Sequence, residues 1–287
     1  MNRIIYYYQT FKGLQDILDK QVVTHIHVSS IHFGNNKDGS PYIHLNDEPP
    51  TSKIFEPVWK ECYEASAIGI KIILMVGGAG GAFSYLFDQF DTYYPLLKKC
   101  IESQPCIRGI DLDIEESVAL TDVKKLIRTL TTDFGQDFII TMAPLGGSLM
   151  EDDEGMGGFV YKTLYESPEG QMIDYFNGQF YGSFSFDSYD KAIQNGYPEE
   201  KVVMGMQSTQ FNKETFTKAL EEVTKIKQKY PNFGGVFNWE YFSSPPDPNI
   251  PSEWAVEMNN VIHNSSDMSN CSDRSERSDR SYRCAIQ

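Results

Sequence analysis

Asp111, Asp113 and Glu115 stand at alternate positions of an otherwise apolar run, Ile107-Arg108-Gly109-Ile110-Asp111-Leu112-Asp113-Ile114-Glu115. Side chains alternate across an extended strand, so the three carboxyls share one face while Ile110, Leu112 and Ile114 share the other. Same-face neighbours then lie about 6.5 Å apart. At an effective dielectric of about 20, two charges at that separation repel by about 2.5 kcal/mol, equivalent to about two pKa units. The row is therefore expected to keep at least one proton near neutral pH, which suits a general acid. A strand with only a packing role would not commit a whole face to acids, because burying ionised carboxyls is costly. Acid–base catalysis is one use of such a row. Holding Mg²⁺ is another, and it would make an activity sensitive to EDTA.

Positioning these groups takes a scaffold, and the rest of the chain reads as one. Short β-rich runs fall at residues 3–8, 24–31, 71–76, 107–114, 138–143, 175–181, 201–206 and 234–239. Amphipathic stretches at 57–67, 91–102, 120–133, 213–230 and 252–263 lie between or after them. Strands alternating with helices indicate a closed parallel barrel or a doubly wound open sheet. The 287 residues suit a single-domain (β/α)8 TIM barrel. Barrels carry function at the C-terminal ends of their strands, and Glu115 ends the fourth. The segment 144–172 is long, Gly-rich and acidic, as expected of a cleft rim. Between the last two strands only a helix-sized connection is available, so no large insertion domain is expected.

The formal net charge of −15 argues against nucleic acid or an anionic membrane as partner. Five cysteines without C-x-x-C spacing indicate neither a disulfide framework nor a zinc site, and Cys62 and Cys100 read as core. Residues 1–8 lack a signal-peptide pattern, and no apolar run reaches transmembrane length. The sequons at Asn264 and Asn270 have meaning only in a secreted protein. From about residue 264 the triplets Ser-Asp-Arg, Ser-Glu-Arg and Ser-Tyr-Arg offer nothing to bury. This tail is expected to be disordered, either simply solvated or phosphorylatable and partner-binding. The catalytic domain is thus expected to span residues 1–263.

Two motifs mislead. Gly77-Gly78-Ala79-Gly80-Gly81 lacks the Lys-Ser/Thr of a phosphate loop and reads as a strand-end turn that lets backbone approach a ligand. His25 and His27 share a strand face but have no third ligand at metal spacing, so they read as interior histidines. No G-x-S-x-G elbow is present.

The run Gly109–Glu115 resembles the D-G-x-D-x-D-x-E signature of glycoside hydrolase family 18. Four further segments agree in order: Lys71–Gly78 with the third-strand motif, Met142-Ala143-Pro144 with the end of the fifth strand, Gln179-Phe180-Tyr181 with the sixth-strand motif of short hevamine-like chitinases, and residues 234–239 with the eighth strand. Two positions depart from the pattern. Arg108 replaces the first Asp, on the face opposite Asp111, and Met75 stands where the family usually has Ser. The resemblance implies retaining, substrate-assisted hydrolysis at N-acetylglucosamine residues, without a cofactor or metal. It makes Glu115 the general acid and Asp113 the partner of the acetamido N–H. Asp111 shares a proton with Asp113, and Tyr181 holds the acetamido oxygen. Gln179, Trp239, Gly78 and Met142 fall on the substrate. Tyr6 and Tyr8 share a face expected to point toward the subsites, although core packing accounts for them equally well. Phe83 and Tyr241 are further candidates for the groove.

The expected partner is an N-acetylglucosamine-containing polysaccharide or oligosaccharide, bound by a monomer. An endo-N-acetylglucosaminidase acting on N-glycans and a lectin of the same fold without turnover remain the alternatives. Retention of Glu115 with Asp113 and Tyr181 favours turnover. An open, shallow groove and endo cleavage of soluble oligomers are expected.

Overall fold

The computed structural model describes residues 2–263. The expected tail therefore lies outside the described residues. Among the described residues nine strands run in chain order: β1 (Arg3–Tyr8), β2 (His25–Asn35), β3 (Pro41–Leu45), β4 (Lys71–Gly77), β5 (Ile107–Asp113), β6 (Ile139–Met142), β7 (Tyr175–Gln179), β8 (Val202–Gln207) and β9 (Gly235–Trp239). Eight of them pair in parallel in the order β1-β9-β8-β7-β6-β5-β4-β2, and β1 with β2 closes the ring. This is a (β/α)8 barrel, as expected. The exception is β3, which pairs antiparallel to the outer half of β2. The Asp38-Gly39 turn, with Gly39 at φ +85°, is the sequence signal for that hairpin.

Among the described residues ten helices wrap the barrel: α1 (Gln15–Lys20), α2 (Glu56–Ala67), α3 (Phe83–Asp88), α4 (Phe90–Glu102), α5 (Leu120–Phe134), α6 (Gly146–Met150), α7 (Tyr161–Tyr165), α8 (Phe186–Gln194), α9 (Lys213–Lys229) and α10 (Ser252–His263). The longer ones form where apolar residues recur at helical spacing. In α5, Val123, Leu126, Ile127 and Leu130 are buried, one stripe against the sheet. Asn212 caps α9 through Thr215 in a reciprocal box that satisfies donors the first turn leaves free. Segment 144–172 contains α6 and α7, so it is a folded rim and not a bare loop.

Alternation along the strands divides the core in two. A large outer layer between barrel and helices takes Tyr6, Tyr8, Leu74, Leu112, Met142 and Phe176. A small inner cluster takes Ile5, Tyr7, Met75, Tyr175, Val203 and Phe237. Two expectations are corrected here. Tyr6 and Tyr8 face outward: the Tyr6 ring packs on Trp254 and Tyr241, and the Tyr8 hydroxyl donates to Glu61 at 3.0 Å. Alternation says which residues share a face but not which face is inward, and here the inward tyrosine is Tyr7. Met142 also faces outward, because it pairs with Leu112 while Thr141 pairs with Asp111. Thr141 and Ala143 take the inward positions on that strand.

Arg108 is exposed on the outer face, with its guanidinium donating to Pro105 O, so the acid row is undisturbed. Cys62 and Cys100 are buried, as expected. Phe83 packs in the outer core and Tyr241 against Tyr6; neither lines the acid pocket.

Candidate active site

Inside β5, Asp111 is wholly buried and Asp113 nearly so, while Glu115 sits half-buried two residues past the strand end. The row thus climbs from the barrel interior to its mouth. A cavity of about 450 Å³ opens there. Asp113, Glu115, Gln179, Tyr181, Trp239 and Gly78, all singled out from the sequence, line it. Asp111 lies beneath, and Tyr6, Tyr8 and Met142 are elsewhere.

Three side chains donate to Asp111. Tyr7 donates its hydroxyl to Oδ2 at 2.7 Å, Thr141 donates to Oδ1 at 2.5 Å, and Asn177 Nδ2 donates to Oδ1 at 3.1 Å. His27 Nδ1 stands 3.4 Å from Oδ2. Burial pushes the Asp111 carboxyl up, but His27 and the hydroxyl donors outweigh it, leaving Asp111 below the usual carboxylate range. Asp113 has the opposite balance. Burial first, then the neighbouring Glu115 and Asp111 charges, push it well above the usual range, against a smaller pull from Gln179. One face of one strand therefore carries a carboxyl biased toward its anion below and one biased toward its neutral acid above it.

Gln179 Nε2 is the hub of the mouth: 3.1 Å from Asp113 Oδ1, 3.4 Å from Glu115 Oε1 and 2.9 Å from Ala143 O. Period-two alternation on β7 aims Asn177, Gln179 and Tyr181 inward together, with Gly178 and Phe180 outward. Burial and the Asp113 and Glu115 charges push the Tyr181 phenol well up, so it is a hydroxyl donor at neutral pH. The Trp239 ring stands edge-on to Tyr7 at 5.4 Å and walls the cavity at the end of β9.

The Gly77-Gly78 turn is required by crowding. A Cβ on Gly77, at φ +94°, would meet Asp113 O at 2.3 Å, and one on Gly78, at φ +80°, would sit 3.4 Å from Asp113 Oδ2. The Gly78 N–H instead donates to Asp113 O at 2.9 Å. The run is the strand-end turn that its spacing indicated.

Glu116 fastens the acid-bearing segment to that turn. Its carboxylate accepts from the backbone N–H groups of Ala82 and Phe83 at 2.5 Å and of Ser84 at 3.1 Å, the opening donors of α3. Burial pushes it up, yet the bonds from Ser84, Ala82 and Phe83 prevail and hold it below the ordinary range. Glu116→Ala is expected to cost about 2 kcal/mol of stability, the scale of bonds to a charged group. The midpoint of urea unfolding measures it, and an unchanged midpoint refutes the anchoring.

Sequence reasoning missed Tyr7, Thr141, Asn177 and the contact from His27. Asn177 and Thr141 were within reach: Asn177 is two positions before Gln179, and Thr141 adjoins Met142. The cavity also takes Gln9, Ser30, Gln207 and, from the 144–172 rim, Leu145 and Met156. Nothing in the local sequence marks these.

A parallel barrel with a graded acid row at its mouth is a scaffold suited to acid–base chemistry. No family model matches the chain. A fungal endo-β-N-acetylglucosaminidase of glycosyl hydrolase family 18 superposes with a TM-score of 0.80 at 30% identity, covering 92% of this chain and 99% of that one. Chitinase ChiC from Aspergillus fumigatus gives 0.78 at 30% identity, covering 92% and 100%. The chain belongs to glycosyl hydrolase family 18. Among curated proteins, Chitinase 2 of Rhizopus oligosporus is 26% identical over 205 residues, 63% of this chain. The match spans 35% of that relative's length.

Proposed function

We propose that the chain is an endo-acting, retaining hydrolase of β-1,4 bonds at N-acetylglucosamine residues, with the substrate's acetamido group as nucleophile. The catalytic domain is taken as residues 1–263. The observation that carries this reading is the pairing at the cavity mouth. Asp113, its carboxyl pushed up by burial, and the more exposed Glu115 are bridged by Gln179, with the Tyr181 phenol beside them. Only one carboxyl is then free to act as acid and base, which is what a substrate-supplied nucleophile requires.

In the proposed reaction Glu115 gives its proton to the leaving glycosidic oxygen as the anomeric C–O bond breaks. The acetamido oxygen bonds to the anomeric carbon and forms an oxazolinium ion. Asp113 accepts the acetamido N–H and, by passing its proton toward Asp111, places negative charge beside the growing positive charge. Tyr181 donates to the acetamido oxygen. Trp239 forms the apolar floor under the sugar ring, and Gly78 and Gln179 border it. Water then attacks the anomeric carbon and returns a proton to Glu115, retaining configuration.

Two features support an open groove suited to soluble oligosaccharides. Between β8 and β9 the chain has room only for α9 and short turns. Of the three tryptophans, Trp59 and Trp254 are core, leaving Trp239 alone on the cavity. The likeness to the fungal endo-β-N-acetylglucosaminidase favours a second reading, cleavage within an N-glycan core. The deciding experiment is a product profile on chitin oligomers beside a high-mannose glycoprotein, with Glu115→Gln as control. Mixed oligomers early in digestion support endo chitinase action. Dimers alone from the first minutes contradict it, and glycan release with intact chitin oligomers selects the second reading.

A further inference from the structure

His27 is a buried titratable group that the proposed chemistry leaves without a task. Its ring has no solvent exposure and lies inside the barrel, one layer below the acid row. Nδ1 is 3.4 Å from Asp111 Oδ2, and Nε2 is 3.4 Å from the Tyr175 hydroxyl. The Tyr7 ring lies alongside at 4.8 Å between centroids, and Tyr7 itself donates to the same Asp111 oxygen. The titratable groups facing His27 are thus Tyr7 from β1, Asp111 from β5 and Tyr175 from β7. On its own strand His25 lies below, against Tyr175, whose ring carries the Arg3 guanidinium at 4.0 Å. The other inward positions of this layer, Met75, Val203 and Phe237, carry no charge.

The donors in this column point one way. Burial pushes the Tyr175 phenol well up, so it keeps its proton and can give a hydrogen bond to Nε2. With Nε2 accepting, the ring proton belongs on Nδ1, directed at Asp111. Directly beside Asp111 in the sheet register is Met75, which has no donor to offer. A thioether there leaves that side of the carboxylate bare, and the imidazole approaches from β2 instead.

We propose that His27, backed by Tyr175, is a positioning residue that keeps Asp111 anionic in the resting site, so that the shared proton of the row rests on Asp113 until the acetamido group engages it. The inference rests on the reading of that row as catalytic. His27 touches no substrate and acts only through Asp111.

The test uses the full chain with His27→Phe, which keeps a ring but drops both nitrogens, His27→Asn, which keeps a donor, and Met75→Ser added to His27→Phe. The first readout is the pH profile of hydrolysis of a fluorogenic N-acetylglucosamine oligomer. For His27→Phe, kcat is expected to fall about tenfold with KM nearly unchanged. The acid limb is expected to move up by about one pH unit, because losing a partner favours the neutral carboxyl. His27→Asn should retain more activity, and Met75→Ser should restore part of the loss by placing a hydroxyl beside Asp111. The second readout needs no turnover: the ¹³C carboxyl resonance of Asp111, titrated in the wild type and in His27→Asn, should move to higher pH in the variant. An acid limb that stays in place while kcat falls overturns the proposal, as does an Asp111 titration identical in both proteins. Should the wild type hydrolyse no acetamido sugar, the proposed function fails while the carboxyl titration still decides the role of His27. Should His27→Phe not fold, His27→Asn carries both readouts.

Discussion

Glu115→Gln is expected to lower kcat on N-acetylglucosamine oligomers by about 10³-fold, within the range that a positioned general acid supplies. KM should change little. A glutamine oxygen can still accept from Gln179 Nε2, which now stands 3.4 Å from Glu115 Oε1, so the mouth of the cavity should keep its shape. What disappears is the proton for the leaving oxygen. The loss should therefore depend on the leaving group. Aryl glycosides, whose phenolates depart without protonation, should be cleaved with a much smaller penalty than oligosaccharides. Steady-state kinetics on the two substrate types, with thermal unfolding to show an intact fold, measures this. Equal losses on both would remove Glu115 from the role of acid, and undiminished hydrolysis would refute the mechanism altogether.

The reason Glu115 could be singled out without coordinates is that strand alternation and charge repulsion are both local. A row at i, i+2 and i+4 on β5 is legible because period two is a property of any strand. Gln179 and Tyr181 were legible in another way, through the resemblance of Gln179-Phe180-Tyr181 to the family's sixth-strand motif, and alternation on β7 agrees with their shared face. What could not be read was the phase of strands that lack such a marker. β1 presents Tyr6, Tyr7 and Tyr8 in succession, and its sequence offers no polar pattern to say which faces in. Packing on Trp254 of α10 and pairing to β9 decide it, and both are contacts over more than two hundred residues. Thr141 and Asn177 belong to a middle case: their faces follow from neighbours already identified, but their partner, Asp111, is fixed only by the β5–β6 register and the closure of the ring. The hairpin of β2 and β3 is marked by Asp38-Gly39, yet β3 lies outside the alternating barrel pattern.

Asp113→Asn is expected to make the protein more stable and nearly inactive at once. The folded pKa of Asp113 is raised, whereas the unfolded chain ionises near the ordinary carboxylate value of about 3.9. Between those two values the folded state holds a proton that the unfolded state has released. Stability of the wild type must then fall as pH rises through that window, by about 1.4 kcal/mol per unit. Asparagine has no proton to lose, and its side-chain oxygen can keep the bond from Gln179. At neutral pH the variant should exceed the wild type in stability, and the advantage should vanish in acid below the ordinary carboxylate range. Asp111 has the opposite sign. Its folded pKa is lowered, so its contribution is present above the unfolded value and is lost as pH falls through the folded one. Asp111→Asn should accordingly destabilise at neutral pH, leaving the Tyr7 hydroxyl and the facing His27 ring without their anion. Guanidinium unfolding of the three proteins at acid, neutral and mildly alkaline pH separates these slopes. An Asp113→Asn variant no more stable than the wild type at neutral pH would mean that Asp113 is not held protonated against its two neighbours. The kinetic half of the expectation, a loss of about 10²-fold or more in kcat, follows from the same charge. An asparagine can hold the acetamido group in place, but it cannot become the anion that the oxazolinium ion requires, so the repulsion that weakens the resting fold is what stabilises the charged intermediate.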